Sequence, residues 1–463
     1  MERFVDVAVQ LPLPGTFAYK VPERLGEREL VGQRVLVPFG RRGVSGVVVG
    51  HLERAPEGVK GIRELTAVLD RDPMVLPPVL ELCRWISEYY EAAPGESLKA
   101  ALPPGTAITA NQLVRCTEEG RAALGGGALP KAWRDLLSFL DNKGEAVPQR
   151  ELTKMRVKSA DIAKLVEEGW LAYELEANEA KIRDKSVRTA RLTRALDEEM
   201  RAALARAPKK LALVETLAAA GGAVRVDELK ENHPRATEHL RGLKEKGLVE
   251  MGEEVVRGDA WDKQADRVEG MVAPAQAFSL NEGQQDALDR MSAALEEGVF
   301  ASYLLHGITG SGKTEVYLQL IDECLSQGKT AIVLVPEISL TPQLAARFRA
   351  RFGERVAVLH SALTLRERYD EWHRLREGQA VIALGARSAI FAPIDELGVV
   401  VVDEEHDSSF KQEEGVRYNA RDVALVRAQK AGAVCVLGSA TPSLESYQGS
   451  ISGRLERLPL PER

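Results

Sequence analysis

The 463-residue chain holds 44% apolar and 28% charged residues, the mix of a soluble globular protein with buried cores and, at ~150 residues each, room for roughly three domains. No basic head followed by an apolar stretch opens it, and no apolar run reaches the ~18 residues of a membrane span, so a cytoplasmic location is the expectation. A net charge of −7 gives no global positive field and leaves any nucleic-acid contact to a local gathering of the 62 Lys and Arg.

In chain order, residues 1–105 alternate apolar and polar positions in short runs such as RVLVPFG and SGVVVGHL, broken by Gly and Pro; they predict a small β domain closed by the helical pattern PPVLELCRWISEYYEA. An internal repeat follows. GEAVPQREL at 144–152 and GGAVRVDEL at 221–229 share a pattern, and each leads through a helix to EEGWLAYE or EKGLVEMG. Two winged-helix-like domains are therefore expected, at 106–177 and 211–260, interrupted in the first by a glycine break at 125–127. Such modules serve as DNA binders or as protein contacts; HPRATEHLRGLKEK is the better DNA candidate of the two second helices. Between them, 178–210 is dense in charge and reads as a solvated helix or linker. The four cysteines, Cys83, Cys116, Cys324 and Cys435, form no CxxC pair and read as small core hydrophobes.

From 275 to 463 strands and helices alternate strictly. Near-continuous Val, Ile and Leu runs (TAIVLVP, GVVVVDEE, AVCVLGSA) predict strands buried on both faces, hence a parallel sheet between helices in one RecA-like lobe. The fold class is thus multidomain α/β.

The chemistry is concentrated in that lobe. Gly307, Gly310, Ser311, Gly312, Lys313 and Thr314 lie in a GxxxxGK[ST] phosphate loop between a strand and a helix. Glycine-freed amides surround the β-phosphate of ATP, Lys313 reaches the β and γ oxygens, and Thr314 binds Mg²⁺. GVVVVDEEHD sets Asp403 to hold Mg²⁺, directly or through water, and Glu404 to polarise the attacking water, at the tip of a strand expected beside the phosphate loop. LGSATP adds Ser439 and Thr441, which with His406 are candidates for coupling. Gln284 in LNEGQQDAL is the candidate to read the adenine edge, although Gln near a helix start is also a common cap.

For nucleic acid, Arg387 in GARSAIFAP is the chosen phosphate contact. The loop HDSSFKQEEGVRYNARD interleaves Phe410, Lys411, Arg417 and Tyr418, a composition suited to stacking on single-stranded bases at ~1–3 kcal/mol each. A place in the core is the alternative for Phe410 and Tyr418.

Walker A, DExH and SAT in this order are the first-lobe set of superfamily 2 translocases, and GITGSGKTEVY, VPEISLTPQ, GARSA, DEEHDSSFKQ, RYNARD and GSATPS together closely resemble the PriA family of bacterial replication-restart helicases. PLPGTFAYKVP and RVLVPFGRR resemble its domain for the leading-strand 3′ end. The resemblance implies a terminal-nucleotide pocket at Phe17, Gly40 and Arg63, with Ala18 where the family often has aspartate. It also implies ATP-dependent 3′ to 5′ unwinding, branched and single-stranded DNA at replication forks as substrate, and primosome proteins, a replicative helicase loader and single-stranded DNA-binding protein as partners. The family continues into a second lobe with an arginine finger and an insertion holding two zinc ions, for which this chain has no ligands. The expectation is therefore a fragment of a longer reading frame, unable to unwind alone, or a shortened natural form. The competing readings are a non-enzymatic fork-binding adaptor and a translocase subunit of a restriction or repair system.

Overall fold

The computed structural model describes residues 3–40, 42–58, 61–103, 105–106, 110–125, 129–154, 157–177, 185–260 and 278–461. Positions 126–127 of the glycine break, the first part of the expected linker (178–184) and the expected lobe boundary at 275 lie outside them. The chain divides into two units, Met1–Lys181 with Ala260–Arg463, and Ile182–Asp259. No described helix is long and apolar enough to cross a membrane.

The amino-terminal strands β1 (Arg3–Val9), β2 (Phe17–Val21), β3 (Arg34–Phe39), β4 (Arg42–Leu52) and β5 (Ala67–Val68) form an antiparallel sheet in the order β2-β1-β4-β3-β5. Val5, Val7, Tyr19, Val35, Val37 and Val48 fill one core. Ala8 and Val47 enter a different one, shared with helices α1 (Pro77–Tyr89) and α2 (Pro94–Ala101). Gly95 makes the second contact possible, since a Cβ there would lie 1.6 Å from the carbonyl oxygen of Val9.

The first winged-helix-like module comprises β6 (Ala110–Cys116), α3 (Glu118–Gly125), α4 (Lys131–Lys143), β7 (Val147–Pro148), α5 (Gln149–Lys154), α6 (Ser159–Glu167) and β8 (Leu171–Ala177), with sheet order β7-β6-β8. The second unit repeats this as β9 (Lys185–Leu192), α7 (Glu198–Leu204), α8 (Pro208–Ala220), β10 (Val224–Arg225), α9 (Val226–Asn232), α10 (Ala236–Glu245) and β11 (Val249–Val256), with order β10-β9-β11. The expected linker at 178–210 is thereby corrected: its described part is the first strand, the first helix and the start of the second helix of this module. Its charges misled because they lie on the outer face of the ladder, where Arg191 pairs with Glu250 across β9 and β11 at 2.7 Å. Only Thr189 and Ala190 of β9 are buried, so the strand lacks an apolar signature.

The carboxy-terminal lobe runs through α11 (Glu282–Glu297), β12 (Ala301–Gly307), α12 (Lys313–Ser326), β13 (Thr330–Leu334), α13 (Pro342–Phe352), β14 (Val356–Leu359), α14 (Leu365–Arg376), β15 (Ile382–Gly385), β16 (Leu397–Asp403), α15 (Ala420–Ala431), β17 (Val434–Ser439), α16 (Leu444–Ile451) and β18 (Glu456–Leu460). All seven strands are parallel, in the order β14-β15-β13-β16-β17-β12-β18. Val399–Val402 of β16 are completely buried and alternate between two cores, as a strand covered on both faces requires. Val399 and Val401 share a core with Val316 and Leu320 of α12. Val400 and Val402 join a core containing Val423 and Ala424 of α15 together with Leu80, Cys83, Ile86 and Leu98 of α1 and α2. The amino-terminal domain and the lobe thus share one apolar interior, reinforced where the backbone N–H of Asn419 donates to Tyr90 Oη at 3.3 Å and Arg376 donates to the carbonyl of Pro73 at 3.2 Å. The four cysteines are free and buried.

Gly95→Ala forces β1 and α2 apart and is expected to destabilise the unit containing them by at least about 2 kcal/mol, measured as a lowered urea midpoint.

Candidate functional site

The phosphate loop leaves β12 at Gly307 and enters α12 at Lys313. Gly310 and Gly312 hold φ of 83° and 78°, the left-handed region that favours glycine. At Gly312 space is lacking too, because a Cβ would meet Gln284 Nε2 at 2.3 Å. Lys313 is buried and folds back so that Nζ donates to the Gly307 carbonyl at 2.9 Å. Ser311 Oγ is buried without a hydrogen-bond partner among the described residues. A glycine cradle with a cation turned inward and an orphaned hydroxyl fits a phosphate chain, whose oxygens would satisfy both. Thr314 follows Lys313 at the helix start, only partly buried, where a hydroxyl can face a phosphate-bound cation.

Gln284 departs from its expected role. It closes a capping box on α11, its Oε1 accepting from the Asn281 N–H at 2.9 Å, while Nε2 donates to the Ser311 carbonyl at 2.9 Å. The side chain is 9% exposed and braces the phosphate loop instead of presenting a free amide to a base. The capping that its place near a helix start allowed is therefore present.

Asp403 and Glu404 emerge from the carboxyl end of β16. This strand does not neighbour β12 as expected; β17 lies between them. The sites still converge, because Lys313 is close enough to act electrostatically on the Asp403 carboxyl and Tyr317 Oη donates to Asp403 Oδ1 at 3.2 Å. Glu404 has φ of 48°, uncommon for a residue with a side chain, and such strain gathers at functional sites. His406 Nδ1 lies 2.8 Å from Ser439 Oγ and 3.7 Å from Glu404 Oε2, and its Nε2 lies 3.5 Å from Thr441 Oγ1. The three coupling candidates therefore form one polar chain beside Glu404.

Sequence reasoning missed Glu405. Its buried carboxylate accepts from the Ser443 N–H at 2.7 Å, from the hydroxyls of Ser443 and Ser446 at 2.9 and 2.8 Å, and from Arg421 at 3.4 Å. This ties the acidic motif to the starts of α15 and α16. A charged residue inside a charged motif gave no sign that it turns inward.

The expected stacking loop is corrected in part. Phe410 and Tyr418 are 1% and 4% exposed, and the Tyr418 ring packs edge-on against Phe391 at 5.4 Å. Burial pushes the Tyr418 hydroxyl far above the ordinary tyrosine range, against the opposing charge of Arg387. Both rings belong to the shared core, which offers apolar surface that a solvent-facing loop cannot. Lys411 and Arg417 stay exposed. Arg387 donates to the carbonyls of Ser409 and Lys411 at 3.0 and 3.3 Å, joining the GARSA segment to this loop. It also lines a cavity of about 500 Å³ with Lys99, His360, Arg368 and Gln412.

In the amino-terminal sheet the three expected pocket positions come together. Phe17 packs edge-on against Phe39 at 5.0 Å, Gly40 turns the chain at φ 59°, and Arg63 Nη1 donates to the Gly40 carbonyl at 2.8 Å. The cross-strand partner of Ala18 is Asp6, whose carboxylate accepts from Thr16 Oγ1 at 2.6 Å. A carboxylate thus stands beside Ala18, a neighbour that only strand pairing reveals.

Burial, followed by the charge of Glu404, pushes the Asp403 carboxyl up to about 6. Because this lies above the unfolded value, the ionised form opposes folding; the penalty is absent below pH ~4 and complete above pH ~6. Asp403→Asn is expected to stabilise the chain by about 1–2 kcal/mol at pH 8 and by nothing at pH 4, read from urea unfolding in a chelator.

Residues 6–103 match the PriA 3′ DNA-binding domain (3′BD), and residues 281–449 match the DEAD/DEAH box helicase family. The replication restart protein PriA of Bacillus subtilis (strain 168) is 36% identical over 468 residues, covering 100% of this chain and 56% of that protein. Those of Synechocystis and Haemophilus influenzae are 33% and 31% identical, covering 95% and 100% of this chain and 52% of each relative. The chain therefore spans about half the length of the curated relatives it matches. Among solved structures, RecG bound to a three-way DNA junction covers 45% of this chain and 26% of its own, at 23% identity and a TM-score of 0.31. The UvsW helicase of bacteriophage T4 covers 60% and 98%, at 14% identity and 0.29. Both overlaps are too slight to carry an argument. The sequence likeness runs the length of the chain and takes in both its amino-terminal sheet and its motor lobe: the chain belongs to the PriA family.

Proposed function

We propose that this chain supplies the DNA-binding domains and first motor lobe of a cytoplasmic, ATP-dependent 3′ to 5′ DNA helicase that initiates replication restart at stalled or branched forks and assembles a primosome there. The observation that carries the reading is the convergence of Lys313, Asp403 and Glu404 at the carboxyl edge of one parallel sheet, with an orphaned Ser311 hydroxyl in the glycine cradle between them. The relatives named as replication restart proteins support the cellular role.

Bound ATP with Mg²⁺ would supply the labile phosphoryl bond and neutralise charge developing across it. Loop amides and Lys313 would grip the phosphates, with phosphate oxygen taking the place of the Gly307 carbonyl as acceptor for Lys313. Thr314 and Asp403 would hold the cation, and Glu404 would orient a water. His406, Ser439 and Thr441 link that carboxylate to the segment preceding α16, and Glu405 fixes the same segment to Arg421. Arg387, Lys411 and Arg417 face the DNA backbone. The pocket at Phe17, Gly40 and Arg63 receives the leading-strand 3′ end. A replicative helicase loader, single-stranded DNA-binding protein and other primosome proteins are the partners that follow.

Lys313→Ala is expected to lower DNA-stimulated ATP hydrolysis by more than about 100-fold while fork affinity stays within about twofold; unchanged turnover in a phosphate-release assay would refute the phosphate role. A fork whose leading-strand 3′ end is blocked should bind several-fold more weakly than one with a free end. Equal affinities at one stated salt concentration, by fluorescence anisotropy, would count against the pocket.

A further inference from the structure

Tyr317 lies one helical turn after Lys313, so both side chains project from the same face of α12. Its ring is fully buried in the core between α12 and the sheet, and its hydroxyl emerges beneath the acidic motif to donate to Asp403 Oδ1. The way there is open only because of Gly438. This residue sits on β17, directly paired with Asp403 of β16, and a Cβ on it would lie 1.6 Å from Tyr317 Oη and 2.8 Å from the carbon bearing it. Gly438 has no positive φ among the described glycines, so its lack of a side chain is needed for space and not for backbone freedom. Burial and the neighbouring carboxylates hold the Tyr317 hydroxyl well above its ordinary range, so it is a permanent donor. Three segments that are far apart in the chain therefore build one contact: the phosphate-loop helix supplies the donor, the DEEH strand the acceptor and the SAT strand the gap.

We propose that Tyr317 is the positioning residue for the cation-binding carboxylate. By holding Oδ1 from the core side it fixes the rotamer of Asp403 and leaves Oδ2 directed at the cation that accompanies the nucleotide. The proposal rests on the nucleotide reading above and adds the residue that orients its metal ligand. It also gives Gly438 a task in the same device, since any side chain there displaces the hydroxyl. A phenylalanine keeps the ring and the packing and removes only the donor, so a purely structural tyrosine would tolerate the change without consequence for the cation.

The experiment uses the chain itself and N-methylanthraniloyl-ADP, a fluorescent nucleotide. Its affinity is measured in chelator and then against rising Mg²⁺. For Tyr317→Phe the Mg²⁺ concentration giving half of the metal-dependent gain is expected to rise roughly 5- to 15-fold, with affinity in chelator and the thermal midpoint nearly unchanged. Gly438→Ala should shift the Mg²⁺ response in the same direction, and the double variant should be no worse than Gly438→Ala alone, because both lesions remove one hydrogen bond. If Gly438→Ala fails to fold, Tyr317→Phe decides by itself. An unaltered Mg²⁺ response in Tyr317→Phe, with Lys313→Ala still losing the nucleotide, would overturn the positioning role and leave the phosphate site standing. Retention of nucleotide by Lys313→Ala would instead overturn the phosphate reading and this proposal with it.

Discussion

Everything in the motor lobe depends on a parallel sheet covered on both faces. Val399–Val402 give the middle of β16 no contact with water, and the apolar runs of β12, β13 and β17 are buried in the same way. Polar chemistry is thereby excluded from the sheet and displaced to the carboxyl tips of its strands, where backbone groups leave the ladder and helices begin. Lys313, Asp403, Glu404 and Ser439 all occupy that edge. Their closeness follows from strand order, since β17 sits between the strands bearing the phosphate loop and the acidic motif.

At this edge the missing side chains matter as much as those present. Gly312 leaves room for the Gln284 amide, Gly307 for Ser311, and Gly438 for the Tyr317 hydroxyl. The two carboxylates at the tip of β16 are held under tension. Asp403 is partly stripped of water beside another negative charge, and Glu404 occupies a backbone conformation that its side chain disfavours. Such strain persists only where surrounding structure over-determines it, and the network of Glu405 with Arg421, Ser443 and Ser446 is the nearest restraint.

The amino-terminal domain does not merely precede the lobe. Helices α1 and α2 complete the apolar interior that also holds Phe410 and Tyr418, so the loop following the acidic motif is anchored on surfaces from both ends of the unit. Arg387 secures the same loop from the GARSA side.

The sequence alone determined the parallel α/β lobe, the phosphate loop, the acidic motif and the existence of a repeat, because each is written in local spacing: glycines at fixed intervals, unbroken β-branched runs, a recurring helix pattern. Resemblance rather than spacing named Phe17, Gly40 and Arg63 together, and the fold sets Arg63 on the Gly40 carbonyl and Phe17 against Phe39. Tertiary structure decided what depends on partners distant in the chain. An exposed-looking Phe410 became part of the core to which α1 and α2 also contribute, the charged stretch at 185–192 became a strand because β11 supplies opposite charges, and Gln284 became a brace because the Ser311 carbonyl accepts from its amide. Whether a polar or aromatic side chain faces water or protein is set by what packs against it, and that neighbour lies far along the chain, outside the reach of local pattern.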